Sequence, residues 1–76
     1  MAFKELDTVV LKRDMPDLGL RRGDLGAVVH VYGADGLEVE FVTAEGKTVA
    51  VLTLTTPDVR PMQSDEILHV RSLASA

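Results

Sequence analysis

The stretch Leu37-Glu38-Val39-Glu40-Phe41 has the strictest alternation in the chain, because apolar residues and glutamates take turns along it. Successive side chains of a β-strand point to opposite faces. The stretch therefore predicts a strand with Leu37, Val39 and Phe41 in the core and both glutamates facing water. A one-residue shift in its pairing would bury two carboxylates, so the register of this strand is firmly specified.

Four further strands are predicted from runs of β-branched and apolar residues bounded by turn-forming residues. They cover residues 7–12, 25–32, 47–54 and 58–62. Glycine-containing turns at 33–36 and 43–46 join the second, third and fourth strands as hairpins, because glycine adopts positive φ without strain. Proline has no N–H to donate, so Pro61 confines the fifth strand to an edge or ends it.

Residues 66–71 allow two interpretations. Ser64 could cap a short helix that has Glu66 in its first turn. Alternatively, the apolar residues Ile67, Leu68 and Val70 could belong to a sixth strand, and this interpretation is the one we favour. Residues 72–76 are expected to form a disordered tail.

The connection between the first two strands, residues 13–24, is long for so small a domain. Leu18 and Leu20 within it are expected to fold back onto the mouth of the barrel, which would make this loop packed. Gly26, near the start of the second strand, indicates a bulge or a close approach of another part of the chain.

Length and composition predict one small globular domain over residues 1–76. The chain has 76 residues, of which 46% are hydrophobic, enough for one compact core. Five or six short antiparallel strands joined by glycine-rich turns are typical of a small closed barrel. The expected fold is therefore all-β, a small SH3-like barrel of five or six short antiparallel strands.

Charge and cysteine content narrow the classes of function. There is no cysteine, which excludes disulfides, thiolate metal sites and cysteine nucleophiles and favours a cytoplasmic protein. The first residues lack the apolar run of a signal peptide, and no stretch approaches the roughly 18–20 apolar residues of a membrane span. With eight basic and twelve acidic residues the net charge is −4, so nucleic-acid binding is not expected.

The segment 19–29 resembles the start of a KOW-type or other SH3-like barrel, in which a loop with a Gly-x-x-Gly pair leads into a valine-rich strand. Gly23 and Gly26 match that pair here. A wider pattern looks like a family of very small bacterial proteins known only as a domain of unknown function, and it covers about residues 4–62. The segments that carry it are Asp7-Thr8-Val9-Val10-Leu11, Gly19-Leu20, Gly23-Asp24-Leu25-Gly26, Val39-Glu40-Phe41 and Gly46-Lys47-Thr48. The resemblance implies the fold and a bacterial origin, and it implies no activity.

Nucleic-acid binding is the alternative function that the KOW resemblance suggests. KOW domains that bind RNA usually carry more lysine and arginine around the first loop. Here the densest positive cluster is Arg13, Arg21 and Arg22, and three aspartates share the same loop. These arginines could contact phosphate or the carboxylates of a partner protein.

The favoured function is a non-enzymatic protein-interaction module with an unknown protein partner. The partner is expected to contact the arginines of the long loop and an exposed face around His30 and Tyr32. Self-association is an alternative, because an exposed final strand near 67–70 could pair with a second copy.

No catalytic, metal or cofactor site is expected. His30 and His69 are the only histidines, whereas a zinc site needs three or four convergent ligands. No Gly-x-Ser-x-Gly turn and no phosphate-binding Gly-x-x-x-x-Gly-Lys motif occurs.

Overall fold

The structure is a computed structural model that describes residues 3–73, and it is all-β as predicted. Its strands are β1 (Thr8–Leu11), β2 (Leu25–Tyr32), β3 (Gly36–Val42), β4 (Thr48–Thr55) and β5 (Val59–Pro61). Short 3₁₀ turns at Pro16–Leu18 and Thr56–Asp58 complete the regular structure of these residues. Within residues 3–73 no helix has the length and hydropathy that crossing a membrane requires.

The five strands form one antiparallel sheet in the order β4-β3-β2-β1-β5. This arrangement is consistent with an SH3-like fold, but the expected closure of the barrel is wrong. Among the described residues, β4 and β5 stand at the two ends of the sheet and do not pair with each other. Strand β5 is short because Pro61, which has no N–H, ends it. The sheet therefore keeps a free edge along β4.

The alternation of β3 places its side chains as predicted. Leu37, Val39 and Phe41 are buried, whereas Glu38 and Glu40 lie on the opposite face and are half-buried. The buried residues of the core are Val9, Leu11, Leu20, Val28, Leu37, Val39, Phe41, Leu54 and Val59. Burial of these aliphatic side chains is the main stabilising contribution in a domain of this size.

Gly26 is a place of close approach and not a bulge. A Cβ at this position would lie 2.6 Å from Val39 Cγ1 and 2.9 Å from Phe41 Cε1. The irregularity of β2 lies further along, between Val28 and His30, where the register with β3 shifts. The absence of a side chain at Gly26 thus allows β3 to pack against the start of β2.

The long loop between β1 and β2 is packed at one of its two leucines. An isolated bridge between Met15 and Leu20 closes the loop around its 3₁₀ turn, and Leu20 is buried. The expectation for Leu18 is wrong, since its side chain is 42% exposed. Leu18 belongs to the 3₁₀ turn itself, and this three-residue turn buries none of its residues.

Residues 62–73 form an irregular segment, which we call the C-terminal strap. Neither the favoured sixth strand nor the helix is present at 66–71, so the strand interpretation is wrong for the single chain. The physical reason is that the two ends of this stretch are held by arginine–carboxylate pairs and not by a strand edge. Of the predicted disordered tail, Ser72 and Leu73 border a groove, and residues 74–76 lie outside the described part.

Candidate functional site

The residues predicted to bind a partner lie in two separate places. Arg13, Arg21 and Arg22 belong to the long loop that precedes β2, whereas His30 and Tyr32 lie at the far end of that strand. The body of β2 separates the two groups, and a strand extends by roughly 3.3 Å per residue. The structure therefore does not bring these five residues together into one site.

Arg13 is engaged with an aspartate of the second 3₁₀ turn. Its Nε donates a hydrogen bond to Asp58 Oδ1 at 2.9 Å. Asp58 also accepts hydrogen bonds from the backbone N–H and the hydroxyl of Thr55, at 2.9 and 3.0 Å. The backbone hydrogen bond from Thr55 and the contact with Arg13 outweigh partial burial and hold the pKa of Asp58 below its usual value. This pair ties the loop to the turn before β5.

Two aspartates of the long loop accept hydrogen bonds from the backbone N–H groups of the other two arginines. The N–H of Arg21 donates to Asp24 Oδ2 at 2.8 Å, and the N–H of Arg22 donates to Asp14 Oδ1 at 2.9 Å. Carboxylates thus lie directly beside both positions. The loop does not present the uniformly basic surface that phosphate binding uses.

His30 and Tyr32 form one small exposed cluster with a glutamate of β3. Their rings meet edge to face with centroids 4.5 Å apart, and the Tyr32 hydroxyl donates to Glu38 Oε1 at 3.2 Å. The Glu5 carboxylate lies 3.9 Å from Nδ1 of His30. Desolvation of the hydroxyl and the nearby Glu38 carboxylate raise the pKa of Tyr32. This surface is acidic, so it favours neutral or basic groups in a partner.

The free edge of β4 is a functional candidate that the sequence analysis missed. The strand reads Thr-Val-Ala-Val-Leu-Thr-Leu-Thr over eight residues and contains no charge, no proline and no glycine. Among the described residues it pairs with β3 on one side and with no strand on the other. Val51 is 48% exposed on the outer face, opposite Glu40 of β3. The uncharged run can be seen in the sequence, but its position at the end of the sheet cannot.

The C-terminal strap is fixed at two points by paired side chains. Arg60 of β5 donates two hydrogen bonds to Glu66, at 2.8 and 2.6 Å. Arg71 donates two to Asp24, at 2.8 and 2.5 Å, and a third to the carbonyl of Gly19. Bidentate pairs of this kind are geometrically specific. We call them the two clamps.

Both clamp carboxylates are held in the charged form. The hydrogen bonds from Arg60 and then from the N–H of Gln63 lower the pKa of Glu66 to about 2. Partial burial opposes ionisation of Asp24, but the hydrogen bonds from Arg71 and from the N–H of Arg21 outweigh it, so the pKa of Asp24 is also lowered.

Between the clamps, the strap turns large apolar side chains to the solvent. Ile67 is 94% exposed, Leu68 64% and Val70 88%. Single exposed apolar residues are ordinary on protein surfaces, but three within four positions form a patch of the kind that marks interaction sites.

A groove of about 540 Å³ runs between the strap and the sheet. Phe41, Val42 and Val49 line it on the sheet side, and residues 69–73 line it on the other. His69 borders this groove, whereas His30 lies in the cluster with Tyr32. Among residues 3–73 no three His, Asp or Glu side chains gather as a metal ion would require.

Comparison with curated proteins and with solved structures gives no match. One family model, described as "Domain of unknown function (DUF4926)", matches residues 5–61, which include all five strands. The strap begins where this match ends. Because the match extends over most of the sequence, the chain belongs to the DUF4926 family of domains of unknown function.

Proposed function

We propose that this chain is a non-catalytic protein-interaction module that binds an extended segment of a partner along the free edge of β4. The observation that carries the proposal is the uncharged, eight-residue end strand with no partner strand among residues 3–73. A partner segment added here would take up the unpaired N–H and C=O groups of β4 as ordinary sheet hydrogen bonds.

The composition of β4 supports this role. Natural edge strands are commonly protected by charged side chains, proline, bulges or very short length. Strand β4 has eight residues and neither charge nor proline, although β3 beside it carries two glutamates. Its irregularity is confined to the beginning, where the register shifts between Phe41 and Val42. Most of the edge is therefore suited to pairing.

The neighbouring strand favours a neutral or basic partner segment. Glu38 lies opposite Thr53 in the β3–β4 register, and Glu40 lies opposite Val51. An added strand would be separated from these carboxylates only by the width of β4, about 5 Å per strand spacing. An acidic partner segment would be repelled at this distance, and the net charge of −4 adds to that repulsion.

A lysine placed in the middle of the edge tests the proposal. We expect Val51→Lys to abolish capture of the partner from an extract of the native host, because a charge there opposes strand addition. Val29→Lys is the matched control, since Val29 is 38% exposed on β2, a strand with neighbours on both sides. This control should keep full capture. In the isolated complex, hydrogen exchange should slow at the amides of β4. Slowing at residues 13–24 or at the His30–Tyr32 cluster instead would contradict the proposal.

A further inference from the structure

The C-terminal strap has the composition of a β-strand, but it pairs with no strand among residues 3–73. Ile67, Leu68 and Val70 are residues that favour a pleated surface, yet residues 66–71 adopt neither strand nor helix in the single chain. Their side chains are among the most exposed apolar groups of the described residues. A segment of this composition can bury its apolar side chains when it pairs with a free strand edge.

The same chain contains such an edge at β4. We propose that the segment β4 accepts is the strap of a second copy, so that two copies exchange straps and form a dimer. This inference rests on the proposed function of β4 as an acceptor edge. It also names β4 as the edge of the second copy that receives this segment, which the sequence alone does not identify.

The two clamps explain why the strap is available to another copy. Glu66 is attached to β5 and Arg71 to the residue just before β2, so the clamps tie the strap to the part of the sheet away from β4. Only its last residues, 69–73, border the groove that Val49 at the start of β4 also lines. The clamps hold the stretch between them against its own copy and leave its apolar side chains exposed to solvent. Because both of its ends are anchored, this stretch loses less conformational entropy on pairing with β4 than a free segment would.

Charge and length also match. The stretch from Ile67 to Val70 has no acidic residue, as the acidic face beside β4 requires. Glu66, the acid that precedes it, is paired with Arg60. The clamped stretch has six residues, and β4 has eight. In a twofold dimer each copy gives its one strap and receives one strap at its one β4 edge. No strap or edge is left over, so the assembly closes as a dimer and does not extend into a fibre.

Sedimentation or light scattering over a wide concentration range measures the association. We expect the full chain to dimerise, and we expect Ile67→Asp and Val51→Lys each to weaken dimerisation at least about tenfold. Ile67 is almost fully exposed, so its substitution leaves the fold of the single chain intact. Leu18→Asp is the matched control, because Leu18 is 42% exposed in the long loop, and it should dimerise normally. A chain that stays monomeric throughout overturns the exchange.

Cross-linking then identifies the paired segments, since the chain has no native cysteine. Size-tagged Val51→Cys and untagged Ile67→Cys chains are mixed and treated with a short bis-maleimide. The mixed cross-link should be several times more abundant than the Val51–Val51 cross-link. Predominance of Val51–Val51 cross-links would overturn strap exchange while keeping β4 as the binding edge. Cross-linking within a single Val51→Cys, Ile67→Cys chain, with no link between chains, would also overturn it. Unchanged dimerisation of Val51→Lys would overturn β4 as the acceptor within the dimer, whereas loss of partner capture by the same variant tests β4 as a binding edge for another protein.

Discussion

Gly26 shows how a single missing side chain shapes the core at the residue scale. The two nearest atoms to a Cβ at this position belong to Val39 and Phe41, both fully packed. Neither atom can move away without disturbing the core, because protein interiors are close-packed. We expect Gly26→Ala to lower the free energy of unfolding by about 1–3 kcal/mol, the usual cost of overpacking. Urea denaturation of the full chain measures this change.

A double-mutant cycle separates overpacking from any other effect of alanine at this position. Val39→Ala removes the Cγ1 that a side chain on Gly26 would strike. The cost of Gly26→Ala should therefore be smaller in the Val39→Ala background than in the natural sequence. Equal costs in both backgrounds would refute the steric explanation.

Tyr32 offers a second test at the residue scale. Partial desolvation of its hydroxyl raises the pKa of Tyr32, and the negative charge of Glu38 raises this pKa further by disfavouring the phenolate. We expect Glu38→Gln to lower the pKa of Tyr32 toward its usual value without removing the whole shift. Tyr32 is the only tyrosine and the chain has no tryptophan, so ultraviolet absorbance of the phenolate reports this group alone. An unchanged titration curve would show that Glu38 does not act on Tyr32.

At the scale of elements, the clamps of the strap depend on charged carboxylates. The pKa of Glu66 is lowered from 4.5 to about 2 in the folded chain, and that of Asp24 is lowered from 3.8. A lowered folded pKa means that each clamp contributes fully above the unfolded pKa and is lost as the pH falls through the folded value. The contribution of Glu66 is therefore complete above about pH 4.5 and is lost toward pH 2.

We expect the strap to stay attached at pH 5–7 and to detach between about pH 4.5 and 2. Nuclear magnetic resonance can follow this through the Arg60 and Arg71 guanidinium signals. Glu66→Gln removes the charge at every pH, so its strap should already be loosened on the Arg60 side at pH 7. If the strap of Glu66→Gln makes the same contacts at pH 7 as the strap of the natural chain, the Arg60 clamp contributes nothing to its attachment.

At the scale of the whole molecule, the unclosed barrel links the fold to association. A closed barrel would leave no edge, whereas here β4 ends the sheet. Each copy carries a net charge of −4, so long-range electrostatics oppose the meeting of two copies. The strap exchange therefore relies on short-range apolar contacts and sheet hydrogen bonds, at the uncharged edge and the uncharged stretch from Ile67 to Leu68. The substitution at Val51 tests the β4 edge, and the substitution at Ile67 tests the strap.

The local pattern was enough to predict most of the elements. The limits of β2 at Leu25 and Tyr32 agree with the prediction, and the alternation from Leu37 to Phe41 places β3 correctly. His30 and Tyr32 share one face, and their rings are in contact, because the two residues are two positions apart on one strand. These features depend on side-chain direction along a few neighbouring residues, and the sequence contains that information directly.

The sequence by itself therefore determined the five strands of the sheet, the inward face of β3 and the turns that join β2, β3 and β4. Only the tertiary structure decided that β4 and β5 do not pair, that Asp24 binds Arg71 across 47 positions of sequence, and that residues 66–71 pair with no strand in the described part of the chain. Periodicity reports which face of a segment is apolar, but it contains no information on which segment lies beside it. Pairing across long separations depends on the packing of the whole chain, and for that reason the free edge and the clamped strap became visible only in the folded molecule.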